Sequence, residues 1–239
     1  MLVREHELGP FHVAPAAAGA ASQVELLGGA LRQFETLYLR QVNSRLQDSA
    51  GRAATASLTM SADSEKARDS NKAAAAAAAA DAAVAGANLL TESIATELRA
   101  AFAHAPLQFG VAVACAKALR TFISKTEELF DSTAESTALS VHQPGNFPRQ
   151  SAVAAPTAAQ RRNAALCRAL EAVRFRICEM AGPATERYGG LVTTADVGEP
   201  LLQRARELEA LATSRLSSLG RAVESALLSL VAPAILSTR

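Results

Sequence analysis

The sequence predicts an all-α protein: an elongated helical bundle of about five helices with coiled-coil-like seams. Three observations carry this reading. Apolar residues make up 49% of the 239-residue chain, yet aromatics are only 4% and Trp is absent, so the apolar mass is Ala, Leu and Val. Leu, Val and Ile recur at three and four residues, the spacing that lines one face of a helix. Proline and glycine gather in a few short stretches, which divide the chain into long helix-compatible segments.

The elements follow in order. Residues 1–19 hold Pro10 and Pro15 among small residues and are expected to form a flexible N-terminal arm. Helix is expected from Ser22, because Ser22 and Glu25 have capping-box spacing. In that motif the hydroxyl and the carboxylate each take an amide that the first turn leaves unbonded. Val24, Leu27, Leu31, Phe34 and Tyr38, followed by Val42 and Leu46, form a narrow seam of the kind used in bundles and short coiled coils. Gly28-Gly29 within it costs about 1 kcal/mol per glycine relative to Ala. The pair marks either a close helix crossing or the point after which the helix starts.

From Ser49 to Asn88 the large apolar residues nearly vanish, and Ala73 to Ala80 form an unbroken alanine run between Lys72 and Asp81. Ala is the best helix former, but its one-carbon side chain buries little. This stretch is read as either a smooth packed helix or an exposed spacer. Leu90, Ile94, Leu98 and Phe102 then restore a strong stripe that ends before Pro106. The segment Leu107 to Leu139 opens on a strand-like alternation of large and small residues. It continues with helical spacing through Leu119, Phe122, Ile123, Leu129 and Phe130 and has no partner strand, so it is read as a helix, buried on most sides near its start. Residues 20–140 together form an N-terminal helical region.

Residues 141–156 contain Pro144, Gly145, Pro148 and Pro156 and read as a linker. Beyond it, residues 157–239 are expected to form a helical hairpin packing on the N-terminal region. Its first helix carries the seam Leu166, Leu170, Val173, Ile177 and Met180 and stops at Gly182-Pro183. After a loop to Gly198, Glu199-Pro200 opens the last helix, with Pro where its missing N–H costs nothing. Ala205, Leu208, Ala212, Leu216, Leu219, Val223, Leu227 and Leu230 line one side of it.

The charge balance narrows the function classes. Lys and Arg number 24 against 23 Asp and Glu, a net charge of +1. A nucleic-acid binder shows a strongly basic face or a pI above about 9, so no nucleic-acid partner is expected. Cys115, Cys167 and Cys178 are odd in number and contain no CxxC pair, which fits small buried side chains in a reducing compartment. Cys167 and Cys178 would lie ~16 Å apart along one helix, too far for a disulfide within it. The N-terminus carries early acids and no apolar h-region, and no window approaches the ~18 uninterrupted apolar residues of a membrane span. The expected location is cytoplasmic, with contact at a membrane or lipid body as the variant.

No stretch carries catalytic chemistry. His6 and His12 flank Pro10, which breaks the helix an HExxH site requires, and His104 and His142 lie far apart. There is no GxSxG, GxGxxG or GxxxxGK[ST] motif. Glu127, Glu128, Asp131 and Glu135 lack an accompanying Glu-x-x-His and read as a solvated acidic face. No catalytic residue, cofactor or metal is therefore expected.

The most suggestive feature is a set of arginines, Arg161, Arg162, Arg168 and Arg176, which project within ~120° of arc on a helical wheel. They border the Leu166–Ile177 seam, with Glu171 and Glu179 partly neutralising them. Such a helix can meet an anionic membrane surface or an acidic partner helix. Arg far outnumbers Lys in this chain, which suits paired contacts to carboxylate or phosphate.

The function expected is a non-catalytic helical scaffold or adaptor subunit that assembles with other helical proteins or with itself. The alternative is a peripheral amphipathic coat on a lipid surface such as a membrane, lipid droplet or storage granule. A helical enzyme such as a prenyl-chain synthase or a di-metal carboxylate bundle would need Asp-rich or Glu-x-x-His pairs, and neither occurs.

Overall fold

Five α-helices make up nearly all of the computed structural model, which describes residues 16–65, 72–130, 140–142, 153–155, 157–181 and 195–236. They are α1 (Ala16–Glu65), α2 (Lys72–Ala101), α3 (Ala105–Leu129), α4 (Ala158–Ala181) and α5 (Ala195–Leu236). Strands β1 (Ser140–His142) and β2 (Val153–Ala155) pair antiparallel, Val141 opposite Ala154. The ends of the proline-rich linker are thus held together as a short ribbon, which the sequence reading did not anticipate.

The helices pack as a ring in which α1 touches α2, α2 touches α4, α4 touches α5, α5 touches α3, and α3 returns to α1. Long helices gain most of their stability by burying a stripe, and the buried stripes meet inside this ring. Val42, Leu46 and Ala50 come from α1, Leu90, Ile94 and Leu98 from α2, and Val111, Cys115, Leu119 and Phe122 from α3. Leu170, Val173, Ile177 and Met180 of α4 and Leu201, Leu208 and Ala212 of α5 complete the core. Each large side chain so buried contributes about 1.5–3 kcal/mol.

α1 and α2 run antiparallel and meet through small residues. Ser49 Oγ lies 3.3 Å from Ser93 Oγ, and Arg45 pairs with Glu97 at 2.8 Å. At the tightest point a Cβ added to Gly86 would lie 2.9 Å from Ala56 Cβ and 3.1 Å from the Ala53 carbonyl oxygen. The alanine run belongs to this packed helix, and Ala80, Ala83 and Ala87 are buried. α3 instead runs in the same direction as α1, since Gly110 faces Leu39 and Lys125 faces Gly51.

Several boundaries differ from the sequence reading. α1 begins at Ala16, inside the expected arm, and continues for 50 residues, so Ser22 and Glu25 lie within the helix and Ser49 marks no break. Nothing between them stops it, because the loss of large apolar residues after Ser49 removes packing surface and leaves helix formers in place. α5 starts at Ala195, which puts Pro200 in its second turn instead of opening the helix. α3 starts with Pro106 in its first turn after the extended His104 and ends at Leu129, where Phe130 turns extended. At α4, a capping box forms at Thr157 and Gln160. The Thr157 N–H donates to Gln160 Oε1 at 2.8 Å, and the Gln160 N–H donates to Thr157 Oγ1 at 3.2 Å.

Two seams also stop short. Leu31 and Phe34 are 61% and 64% exposed although they continue the line of Val42 and Leu46, and the side chains of Val24 and Leu27 lie outside the described set. In α5 the line is buried only to Ala212; Leu216 is exposed, and Leu219 and Val223 are half-buried. Phe102, expected in the α2 stripe, is exposed just past the helix end. Leu107–Leu129 is long and apolar enough to cross a membrane by length and composition, and half of its most apolar window is buried in the bundle.

Candidate functional site

The arginines singled out in the sequence lie on α4, but only Arg168 is exposed; Arg161, Arg162 and Arg176 are half-buried. Arg176 pairs with Glu179 at 3.5 Å, and Arg174, on the same helix, pairs with Glu171 at 2.8 Å. The acids of α4 are therefore engaged by its own cations.

Two other surfaces stand out. The first is the projecting half of α1. α2 covers the seam of α1 as far as Tyr38, whose hydroxyl donates to Glu97 Oε2 at 3.4 Å. Burial and the neighbouring Glu97 carboxylate both hold the Tyr38 phenol above its usual range. Beyond that point α2 has ended, none of residues 28–37 is buried, and Leu31, Phe34 and Leu37 stand 61–64% exposed. Gly28 and Gly29 on this stretch have nothing within 4 Å of an added Cβ, so among the described residues no partner uses the close approach they allow.

The second surface is a furrow between α1 and α3. At one end a hollow of about 430 Å³ is lined by Thr36, Leu39, Arg40, Asn43, Phe109 and Val113, among others. The next hollow, about 520 Å³, is lined by Gln47, Lys117, Arg120, Thr121, Ser124 and Lys125. Lys117 belongs to both, so the two form one continuous furrow. Asn43 Oδ1 is buried there with no hydrogen-bond partner among the described residues. The furrow escaped the sequence reading because Arg40 and the α3 cations lie some eighty residues apart, and only the shared direction of α1 and α3 aligns them.

The thiols are sequestered. Burial pushes the Cys115 thiol far above its ordinary range, and it pushes Cys167 up to about 11, with the Arg215 guanidinium opposing the shift. Cys178 is half-buried. His104 is exposed at the start of α3, and Glu127 and Glu128 are exposed at its end. Asp131 and Glu135, like His6 and His12, lie outside the described residues. No group of three or more His, Cys, Asp or Glu side chains that could hold a metal ion occurs among the described residues. Comparison with protein-family models, with curated proteins and with solved structures finds no match to this chain.

Proposed function

We propose that the chain works as a helical scaffold or adaptor subunit that assembles with other helical proteins or with further copies of itself. One observation carries this reading. Past Tyr38 the seam of α1 runs on with no described residue covering it, leaving Leu31 and Phe34 in solvent, with Leu37 exposed on the flank of the same helix. Isolated exposed leucines are ordinary on a protein surface. Large apolar residues in helical register on a helix leaving its bundle are the anchors of helix-in-groove recognition. Of the four arginines that would serve a lipid-surface reading, only Arg168 is exposed, so the proposal rests on α1 instead.

A photo-crosslinking residue placed at Phe34 in cells that normally make the protein tests this. A discrete adduct whose second component is a helical protein or another copy of the chain is expected at position 34. It should be absent when the same probe stands at exposed Thr96 on α2. Equal adducts at both positions, or none at 34, would remove the basis for the proposal.

A further inference from the structure

The α1–α3 furrow gathers cations, whereas several arginines elsewhere in the bundle pair with glutamates. Arg45 pairs with Glu97, Arg174 with Glu171, Arg176 with Glu179, Arg204 with Glu207 and Arg206 with Glu199. Along the furrow the pattern reverses. Arg40, Lys117, Arg120 and Lys125 line it, no Asp or Glu does, and none of the four makes an ion pair among the described residues. The nearest acids along the two helices are Glu35 and Asp48 on α1 and Glu127 and Glu128 on α3; Glu35 is half-buried and the others exposed, and none is part of the lining. Like charges held side by side on neighbouring helices repel one another, and an opposite charge laid between them relieves that repulsion.

The furrow is also graded. Leu39, Val113 and the half-exposed ring of Phe109 supply apolar surface at one end, beside Arg40, and Lys117, Arg120 and Lys125 with Gln47, Thr121 and Ser124 make the other end polar. Two helices side by side leave a groove that accepts a third at the usual ~8–10 Å spacing. From Val113 to Lys125 the furrow extends about 18 Å along α3, or three to four helical turns. A flat bilayer would meet the outer ridges of α1 and α3 before the side chains between them. A small free anion would leave the apolar end unused.

We propose that this furrow docks an acidic amphipathic helix of a partner protein. Apolar side chains of that helix seat against Phe109 and Val113, and its carboxylates lie between Arg40 on one wall and Lys117, Arg120 and Lys125 on the other. The inference names a partner class for the scaffold proposed above and rests on that reading, but it uses a surface separate from the α1 tip.

The test uses the full chain and a fluorescent eighteen-residue amphipathic peptide with a Leu stripe flanked by Glu, read by anisotropy. Saturable binding is expected at low salt. It should weaken at least tenfold when every Glu is changed to Gln, and again when ionic strength is raised past the point where exposed charges are screened. The Lys117→Glu/Arg120→Glu double variant should bind at least tenfold more weakly, while its helical circular dichroism and melting stay as in the parent, since both side chains are exposed. Equal binding of the Glu and Gln peptides, or undiminished binding by the variant, overturns the proposal. So does binding that appears only with anionic phosphatidylglycerol vesicles, which would make the occupant a lipid surface. The Leu31→Asp/Phe34→Asp variant keeps the furrow intact, so loss of assembly there with peptide binding retained would separate the two surfaces.

Discussion

Adding a single methyl group to Gly86 probes the close contact between α1 and α2. In an isolated helix Gly→Ala is favourable by about 1 kcal/mol, because Ala loses less backbone freedom on folding. At position 86 the added Cβ would meet Ala56 Cβ at 2.9 Å, the Ala53 carbonyl oxygen at 3.1 Å and Ala53 Cα at 3.3 Å. Two of these atoms are backbone and the third is a methyl without a rotamer to change, so α1 and α2 must separate. Overpacking of this kind costs about 1–3 kcal/mol. Gly51, also inside the bundle, supplies the control: its added Cβ would meet only the Nζ of Lys125, at 3.0 Å, and a lysine head can swing aside. Gly51→Ala should therefore stabilise by about 0.5–1 kcal/mol. Subtracting one substitution from the other cancels the propensity gain and leaves the steric cost, so Gly86→Ala should be less stable than Gly51→Ala by about 1–3 kcal/mol. Urea unfolding followed by circular dichroism measures both. If the two variants were equally stable, the close approach of α1 and α2 at Ala53 and Ala56 would be refuted.

Further outcomes follow from burial. Leu170 is fully buried, so Leu170→Asp should cost more than about 4 kcal/mol and abolish the cooperative unfolding transition. Leu219→Asp, on the half-buried stretch of α5, should leave that transition in place; calorimetry distinguishes the two. Of the three thiols, the half-buried Cys178 should react first with a disulfide reagent under native conditions, while Cys115 and Cys167 react only after denaturant. Because burial raises the folded Cys167 thiol from an ordinary value of 9.0 to about 11, its contribution is intact below pH 9 and is lost as pH rises toward 11. The urea midpoint of the parent should accordingly fall over that range more steeply than that of Cys167→Ala.

Much of the core was legible because periodicity names the face of a helix that will be buried. Leu90, Ile94 and Leu98, and Leu166 through Met180, are inside as their spacing required. The same rule failed at Leu31, Phe34 and Leu216, since spacing says which face is apolar and not whether another helix is long enough to reach it. α2 ends near Tyr38, and that fact belongs to the fold. Helix limits were blurred for a related reason: alanine-rich sequence keeps a helix going through Ser49 without supplying the large residues that mark an element. The α4 arginines were visible because they share one helix, whereas Arg40 and Lys117 came together only when α1 and α3 were laid side by side. A stripe within one element can be read from a sequence, but a wall built from two requires their relative direction.

α1 leaves the bundle as one unbroken helix, and its stretch from Ala16 to Leu37 extends about 33 Å. Its backbone screw joins the buried Val42 and Leu46 to the exposed Phe34 and Leu31, so rotation of the tip is geared to the core. Removing one residue between Tyr38 and Val42 would draw the tip in by only about 1.5 Å but turn its stripe through about 100°. The compass bearing of that stripe is thus far more sensitive to the spacing of the chain than its reach, and it is dictated by residues that never meet solvent.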